Sequence, residues 1–295
     1  MKKLIKLLSA LIMLAFFSNA NALGFCETGA VETDEGVITF EGEADNIDCE
    51  FAPDEYTVII YKMALCTSPP TRPTTTDTYD VSSCVEIINS PDGQDVNLAA
   101  GGEMVLSDVT RPPNNSYSYG YMLMGNSFAI KAKKQFTNTM HTYQDGPSGN
   151  YCWTKTATAN TSDSDNLGWD DPSPLVECGD SSGTAGTYTE ILDQFDVDDF
   201  EESAIPVTGG TLSADLITAG NGLRVTTSNL ADRLFGVQSF STPVVVTPSS
   251  RVFTVSFGVN RASSLWFYQD LTKGPDQYQV YAIGSGPFST FMSVE

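Results

Sequence analysis

The sequence predicts an all-β chain of antiparallel β-sandwich architecture, organised as two β-rich regions and stapled by disulfides. Three observations predict it. Short runs alternate with period two and are rich in β-branched and aromatic residues; Pro, Gly, Asn and Asp punctuate these runs; and six cysteines follow an export leader. Several short strands at such spacing, joined by turn residues, are the pattern of sandwiches and barrels rather than of a helical fold.

The leader comes first in the chain. Lys2, Lys3 and Lys6 precede an apolar run from Leu7 to Phe17, and Ala20-Asn21-Ala22 supplies a small-residue cleavage site, so residues 1–22 read as a secretory signal peptide removed before Leu23. The apolar run spans 11 residues, short of the roughly 20 a helix needs to cross a bilayer, so no stable membrane span is expected after cleavage. The expected location is therefore secreted or cell-surface, with the periplasm as a further compartment.

The leader holds three of the 15 basic residues and none of the 37 acidic ones, which leaves 12 against 37 and a charge near −25. No nucleic-acid partner is expected, because phosphate binding needs clustered Lys and Arg and the basic cluster here is limited to Lys131, Lys133 and Lys134. Anionic lipid is disfavoured on the same ground. The acidity reads as solubility through mutual repulsion, with divalent-cation binding as the functional reading. With 41% apolar residues the chain can bury one large or two ordinary cores, which excludes disorder of the whole.

All six cysteines lie beyond the cleavage point, and in an oxidising compartment an even count argues for three disulfides. They fall in three separated pairs, so Cys26 with Cys49, Cys66 with Cys84 and Cys152 with Cys178 is the favoured connectivity. Each would close a loop of roughly 20 to 25 residues, worth about 3 kcal/mol in the chain-entropy model. Zinc is the competing use, but the chain has no C-x2-C spacing and a single histidine. Lipidation of Cys26 is the other, and bulky Phe25 stands where a lipobox has a small residue.

From Val37 to Phe136 the elements are strands. Tyr56 to Leu65 alternates Val58 and Ile60 against Ile59, Tyr61, Met63 and Leu65. Thr67 to Tyr79, rich in Pro and Thr, is a surface loop. Shorter strands are expected at Cys84 to Ile88, Val96 to Leu98 and Met104 to Leu106. Tyr117, Tyr119, Tyr121 and Leu123 alternate with Ser116, Ser118, Gly120 and Met122 in a long strand, which Asn126 is expected to turn into a second one, Phe128 to Lys134. The step Leu106-Ser-Asp-Val-Thr-Arg-Pro-Pro-Asn-Asn-Ser-Tyr-Ser-Tyr119 resembles the strand entry of transthyretin-like and Cna-B-type modules, although it lacks their Gly after Pro. That resemblance implies a β-sandwich used as a spacer or stalk.

Residues 137–188 are dominated by Thr, Ser, Asn, Asp, Gly and Pro, and read as a polar loop or insertion pinned by Cys152 and Cys178. Strands resume at Val244 to Thr247, Val252 to Val259, Ser264 to Tyr268, Tyr278 to Ile283 and Phe288 to Val294, with one brief helix at Leu230 to Phe235 between a Ser228 or Asn229 cap and Gly236. The expected organisation is thus a leader at 1–22, a sandwich domain at 23–136, the insertion at 137–188, and a second β-rich domain, or completion of the first, at 189–295.

Chemistry is sparse. His141, four residues before Asp145, has no G-x-S-x-G companion and loop-like flanks, so it reads as a solvated side chain. The densest acidic run, Glu190, Asp193, Asp196, Asp198, Asp199, Glu201 and Glu202, offers oxygens to a hard cation such as Ca²⁺, or simply forms a solvated face. Its spacing matches no EF-hand loop, and neither does Asp163-x-Asp165-Asn166-x-Gly168. Trp153 and Trp169, with the stripe of Tyr117, Tyr119 and Tyr121, would stack on sugar rings if exposed; the competing reading is packing against a disulfide and the core. Gly209-Gly210 and Gly220-Asn221-Gly222 lack a following Lys and suit turns.

The expectation for function follows from these: a non-enzymatic exported structural protein, a filament or appendage subunit or an adhesin, associating with copies of itself or a surface partner through strand contacts. No catalytic residue is assigned and no cofactor beyond the Ca²⁺ option. The alternative is a carbohydrate-binding module with a glycan partner, and the third reading is a secreted glycoside hydrolase using paired carboxylates. Outer-membrane barrel insertion is disfavoured by the six cysteines and by the ending Met292-Ser-Val-Glu295.

Overall fold

A computed structural model describes residues 25–26, 29–40, 47–98, 103–104, 110–142, 146–162, 175–251 and 253–294. Residues 1–22, expected to be a leader, the Asp163–Gly168 motif, Trp169 and Leu106 lie outside the described residues. The fold is all-β. In chain order the strands are β1 (Phe25–Cys26), β2 (Ala30–Glu32), β3 (Val37–Phe40), β4 (Ile47–Phe51), β5 (Glu55–Cys66), β6 (Cys84–Asn97), β7 (Glu103–Met104), β8 (Asn115–Lys131), β9 (Lys133–Thr142) and β10 (Ser148–Thr154). They continue with β11 (Ala157–Asn160), β12 (Val176–Gly179), β13 (Tyr188–Ile191), β14 (Glu201–Val207), β15 (Gly210–Ile217), β16 (Arg233–Val246), β17 (Phe253–Gly258), β18 (Ser263–Gln269), β19 (Gln277–Ser285) and β20 (Ser289–Val294).

Three sheets result. A nine-stranded, barrel-like sheet runs β1-β4-β18-β19-β9-β10-β12, with the β2-β3 hairpin joined to β9. An eight-stranded sheet runs β11-β13-β8-β16-β15-β14, with β5 and β6 on the other side of β8. A small third sheet orders β20-β17-β7. Pairing is antiparallel except at β11-β13, β19-β9 and β3-β9, which are parallel. Strands before and after residue 189 share sheets: β16 lies on β8, β18 on β4 and β19 on β9. The later region completes the earlier one.

One continuous core joins all three sheets. Phe51, Leu265, Phe267 and Ile283 from the first pack with Tyr56, Val58, Ile60, Phe128 and Ile130 from the second and Phe257 from the third. Each such side chain stabilises the fold by about 1.5–3 kcal/mol relative to exposure. Phe40 stacks on Tyr278 at 3.7 Å between centroids and meets Phe267 edge-on at 5.1 Å. The outer face of the eight-stranded sheet carries a second cluster, Ala64, Tyr121, Ile217, Phe235 and Val237, against which Tyr79 and Val81 pack from the far end of the loop between β5 and β6. The Pro/Thr stretch is thus a surface strap that docks on the sheet through Arg72 and the buried Pro70 and Pro73 as well as through its end.

Four expectations need correction. Asn126 does not turn the chain: β8 runs unbroken from Asn115 to Lys131. The pairing of β16 with β8 stops at Gly125 and that of β13 starts at Ser127, so Asn126 sits where two strands meet end to end. Its amide donates to Leu192 O and Ala231 O, both at 3.1 Å, tying both incoming chains to β8. The expected helix at 230–235 is a single 3₁₀ turn, Ser228–Leu230, followed at once by β16. There Leu234 and Phe235 face the two apolar clusters on opposite sides of the sheet, which a strand allows and an exposed helix does not. The polar stretch 137–188 contains the end of β9 and all of β10, β11 and β12, its Thr and Ser serving as strand residues. Finally, His141 is a buried residue of β9, not a solvated loop side chain.

Candidate functional site

The three disulfides join Cys26 to Cys49, Cys66 to Cys84 and Cys152 to Cys178. In each case the two cysteines are directly opposed partners in the ladder, in β1-β4, β5-β6 and β10-β12 respectively. β1 and β12 are the two end strands of the nine-stranded path, and β6 is an end strand of the eight-stranded sheet. Each bond therefore fastens an outermost strand to its inner neighbour and fixes its register, since slipping by one residue would separate the sulfurs. The opposite end of the eight-stranded sheet, β14, is blunted differently: it has an irregularity between Glu202 and Ile205, and Pro206 removes a donor.

Beside β14 lies an ion-pair network that sequence reasoning did not find. Asp215 of β15 is fully buried, and Arg72 from the strap grips it with Nε at 2.7 Å and Nη2 at 3.0 Å. Nη2 also donates to Glu202 O and Ala214 O at 2.9 Å, and Nη1 to Ser203 Oγ at 2.5 Å. Arg224 approaches Asp215 at 3.7 Å and binds Glu201. Burial still pushes the Asp215 carboxyl above its ordinary value, against the pull of Arg72 and then Arg224. The only sequence signal was an arginine stranded in a Pro/Thr loop, with its partner 143 residues away.

This network takes Glu201 out of the acidic run that was expected to offer ligands to a cation. The others disperse too. Asp193 is buried and accepts from Ser162 N at 2.8 Å and Ser162 Oγ at 2.5 Å. Asp196 and Asp199 close a tight turn through Asp196 O and Asp199 N at 2.9 Å, with Asp198 at φ 57°. Glu202 lends its carbonyl to Arg72. Among the described residues no three His, Cys, Asp or Glu side chains gather as a metal site.

Of the aromatic candidates, Tyr117 and Tyr121 are buried and Tyr119 is half-buried. Tyr117 Oη donates to Pro113 O at 2.8 Å, and Tyr121 stacks on Phe235 at 5.7 Å. Trp153 is half-buried under a loop: a Cβ on Gly183 would come within 2.2 Å of its indole, so only glycine lets the backbone approach the ring this closely. These rings act mainly as packing. His141 has Nδ1 3.3 Å from Thr142 O and Nε2 3.4 Å from Asp270 Oδ2, the latter at the head of the β18-β19 turn.

Two interior features remain. An apolar cavity of about 40 Å³ lies between the eight-stranded sheet and β20, lined by Met63, Met122, Met124, Leu234 and Phe288 among others. Its polar lining is satisfied internally, because the Gln238 amide exchanges two hydrogen bonds with the backbone of Thr290, at 2.8 and 3.0 Å, as a strand would. The other is Glu190 of β13, 4% exposed. It accepts from Ser285 N at 2.5 Å and from Thr161 Oγ1 at 3.3 Å, and so connects the two large sheets. Burial raises its carboxyl above the ordinary range, the hydrogen bonds from Ser285 and Thr161 oppose this, and the charge of Asp193 adds to it.

Comparison with protein-family models, with curated proteins and with solved structures finds no match. Among the described residues no helix is long and apolar enough to cross a membrane.

Proposed function

We propose that the chain is an exported, non-enzymatic structural protein of the cell exterior, a filament or appendage subunit or an adhesin, that meets copies of itself or a surface partner through β-strand contacts. The observation that supports this most is the placement of the disulfides on outermost strands. Three disulfides suit an oxidising, extracytoplasmic environment, and edges held covalently resist the fraying that exposure to proteases and mechanical load provokes. The polar groups that could have formed a reactive centre instead hold strands together: Arg72 with Asp215, Lys134 with Glu32 and Lys62 with Glu86. Because β1, β6 and β12 cannot peel away, contacts between copies would add strands to intact sheets rather than exchange them.

Light scattering and negative-stain microscopy of the purified mature chain, together with localisation in its host, test the reading. Ordered polymers or surface exposure are expected. A strictly monomeric, periplasmic protein would overturn it.

A further inference from the structure

We infer that Glu190 is a proton-operated latch between the two large sheets. Its position is unusual: a carboxyl group in the interior, on the same strand as Tyr188 and opposite Phe128 of β8, both of which belong to the apolar core. The β19-β9 pairing ends at Val280, which frees the Ser285 N–H of β19 to point across to Glu190 rather than along the sheet. On the other side Thr161, just beyond β11, supplies its hydroxyl. Glu190 is thus the polar tie between a strand of one sheet and the end of a strand of the other.

The groups that face it compensate the ionised form only in part, through the hydrogen bonds from Ser285 and Thr161, and burial outweighs them. From β5 comes Tyr56 and from its own strand Tyr188, both fully buried phenols held neutral by burial and by the nearby Glu190 charge. From β19 comes Ser285, from the β11 side Thr161, and from the segment after β13 Asp193, whose charge repels. Among the described residues the titratable groups here are the two phenols and Asp193, and no cationic side chain contributes to the balance at Glu190. For a buried carboxyl in such a setting, holding a proton costs less than keeping a desolvated charge.

The sign follows from linkage. The unfolded chain releases this proton near 4.5, and the folded chain holds it to higher pH. The contribution of Glu190 to stability is therefore complete below 4.5 and is lost as pH rises through the folded-state value. Acid removes the buried charge and so favours the closed junction. At neutral or alkaline pH the charge is kept against burial and the repulsion of Asp193, offset only in part by Ser285 and Thr161, and the junction of β13 and β19 is the part that loosens.

The test compares the full mature chain with Glu190→Gln by urea unfolding from pH 4.5 to 8, with amide exchange read at Ser285. The wild type should lose stability relative to the variant as pH rises, and the protection factor at Ser285, the exchange rate corrected for its intrinsic pH dependence, should fall at least about tenfold further in the wild type than in the variant. A constant difference between the two across this range overturns the inference. Thr161→Val supplies a second reading if Glu190→Gln folds poorly: removing a donor to the carboxylate should move the wild-type transition to higher pH, and an unmoved transition counts against the latch. The carboxyl ¹³C resonance of Glu190 titrating at its ordinary value would also refute it.

Discussion

At the scale of single residues, the polar interior is held by pairs whose members come from distant parts of the chain. Arg72 is the clearest. Cutting it to Ala leaves Asp215 buried with only the more distant Arg224, and the cost should be about 3 kcal/mol, the lower end for breaking a buried pair because Arg72 is itself partly exposed. Pairing the change with Asp215→Asn should recover much of the loss, since the stranded charge is then gone; urea unfolding of the two variants measures both. A loss below about 0.5 kcal/mol for Arg72→Ala, the level of an exposed ion pair, would contradict the account. None of this was legible in the sequence. Arg72 and Asp215 carry no local signal, and the acidic run around Glu201 reads equally as ligands or as a solvated face until the strap is laid across it. His141 shows the same limit: Thr and Asn flanks look like a loop, yet in a strand buried on one face they are ordinary neighbours of a buried side chain.

Secondary structure was read best where period two is strict. The runs at Tyr56 to Leu65 and at Ser264 to Tyr268 lie inside β5 and β18, because β-branched and aromatic side chains fit a half-buried pleated surface, but the facing expected along the first fails after Ile60, where the register shifts and Met63 joins Val58 and Ile60 in the main core instead of facing away from them. It was read worst where polar strands cross the middle of the chain, as in β10 with Gly149 and Asn150, and where a polar side chain does structural work inside a strand, as Asn126 does in β8. The pairing of the cysteines was legible because each pair is consecutive. At this scale the Cys66 to Cys84 bond fastens β6 and closes the base of the strap. Replacing both cysteines by Ser should cost about 3 kcal/mol in the chain-entropy model. Hydrogen exchange should then rise first at Cys84 to Ile88 and in the strap. Uniform loss of protection over the whole chain, without a local component, would show that the bond does not act on β6 in particular.

The whole molecule is one interleaved unit rather than a pair of successive domains. β16 needs β8, β18 needs β4 and β19 needs β9, so residues 189–295 made alone lack partners for three strands. That fragment should show no cooperative thermal transition and a collapsed amide spectrum, whereas a sharp melt would argue that the later region is autonomous. Sequence composition could not decide this point, since both regions carry the same alternation and strand pairing across a hundred residues leaves no local trace.

The order of the thiols along the chain bears on how the fold is reached. First pairs with second, third with fourth and fifth with sixth, at separations of 23, 18 and 26 residues. Were the chain exported as proposed, an oxidase that joins each cysteine to the next as it emerges would make every native bond on the first attempt. Maturation on that route calls for an oxidant but not for an enzyme that reshuffles wrong pairings, which is the slow step when partners are out of order.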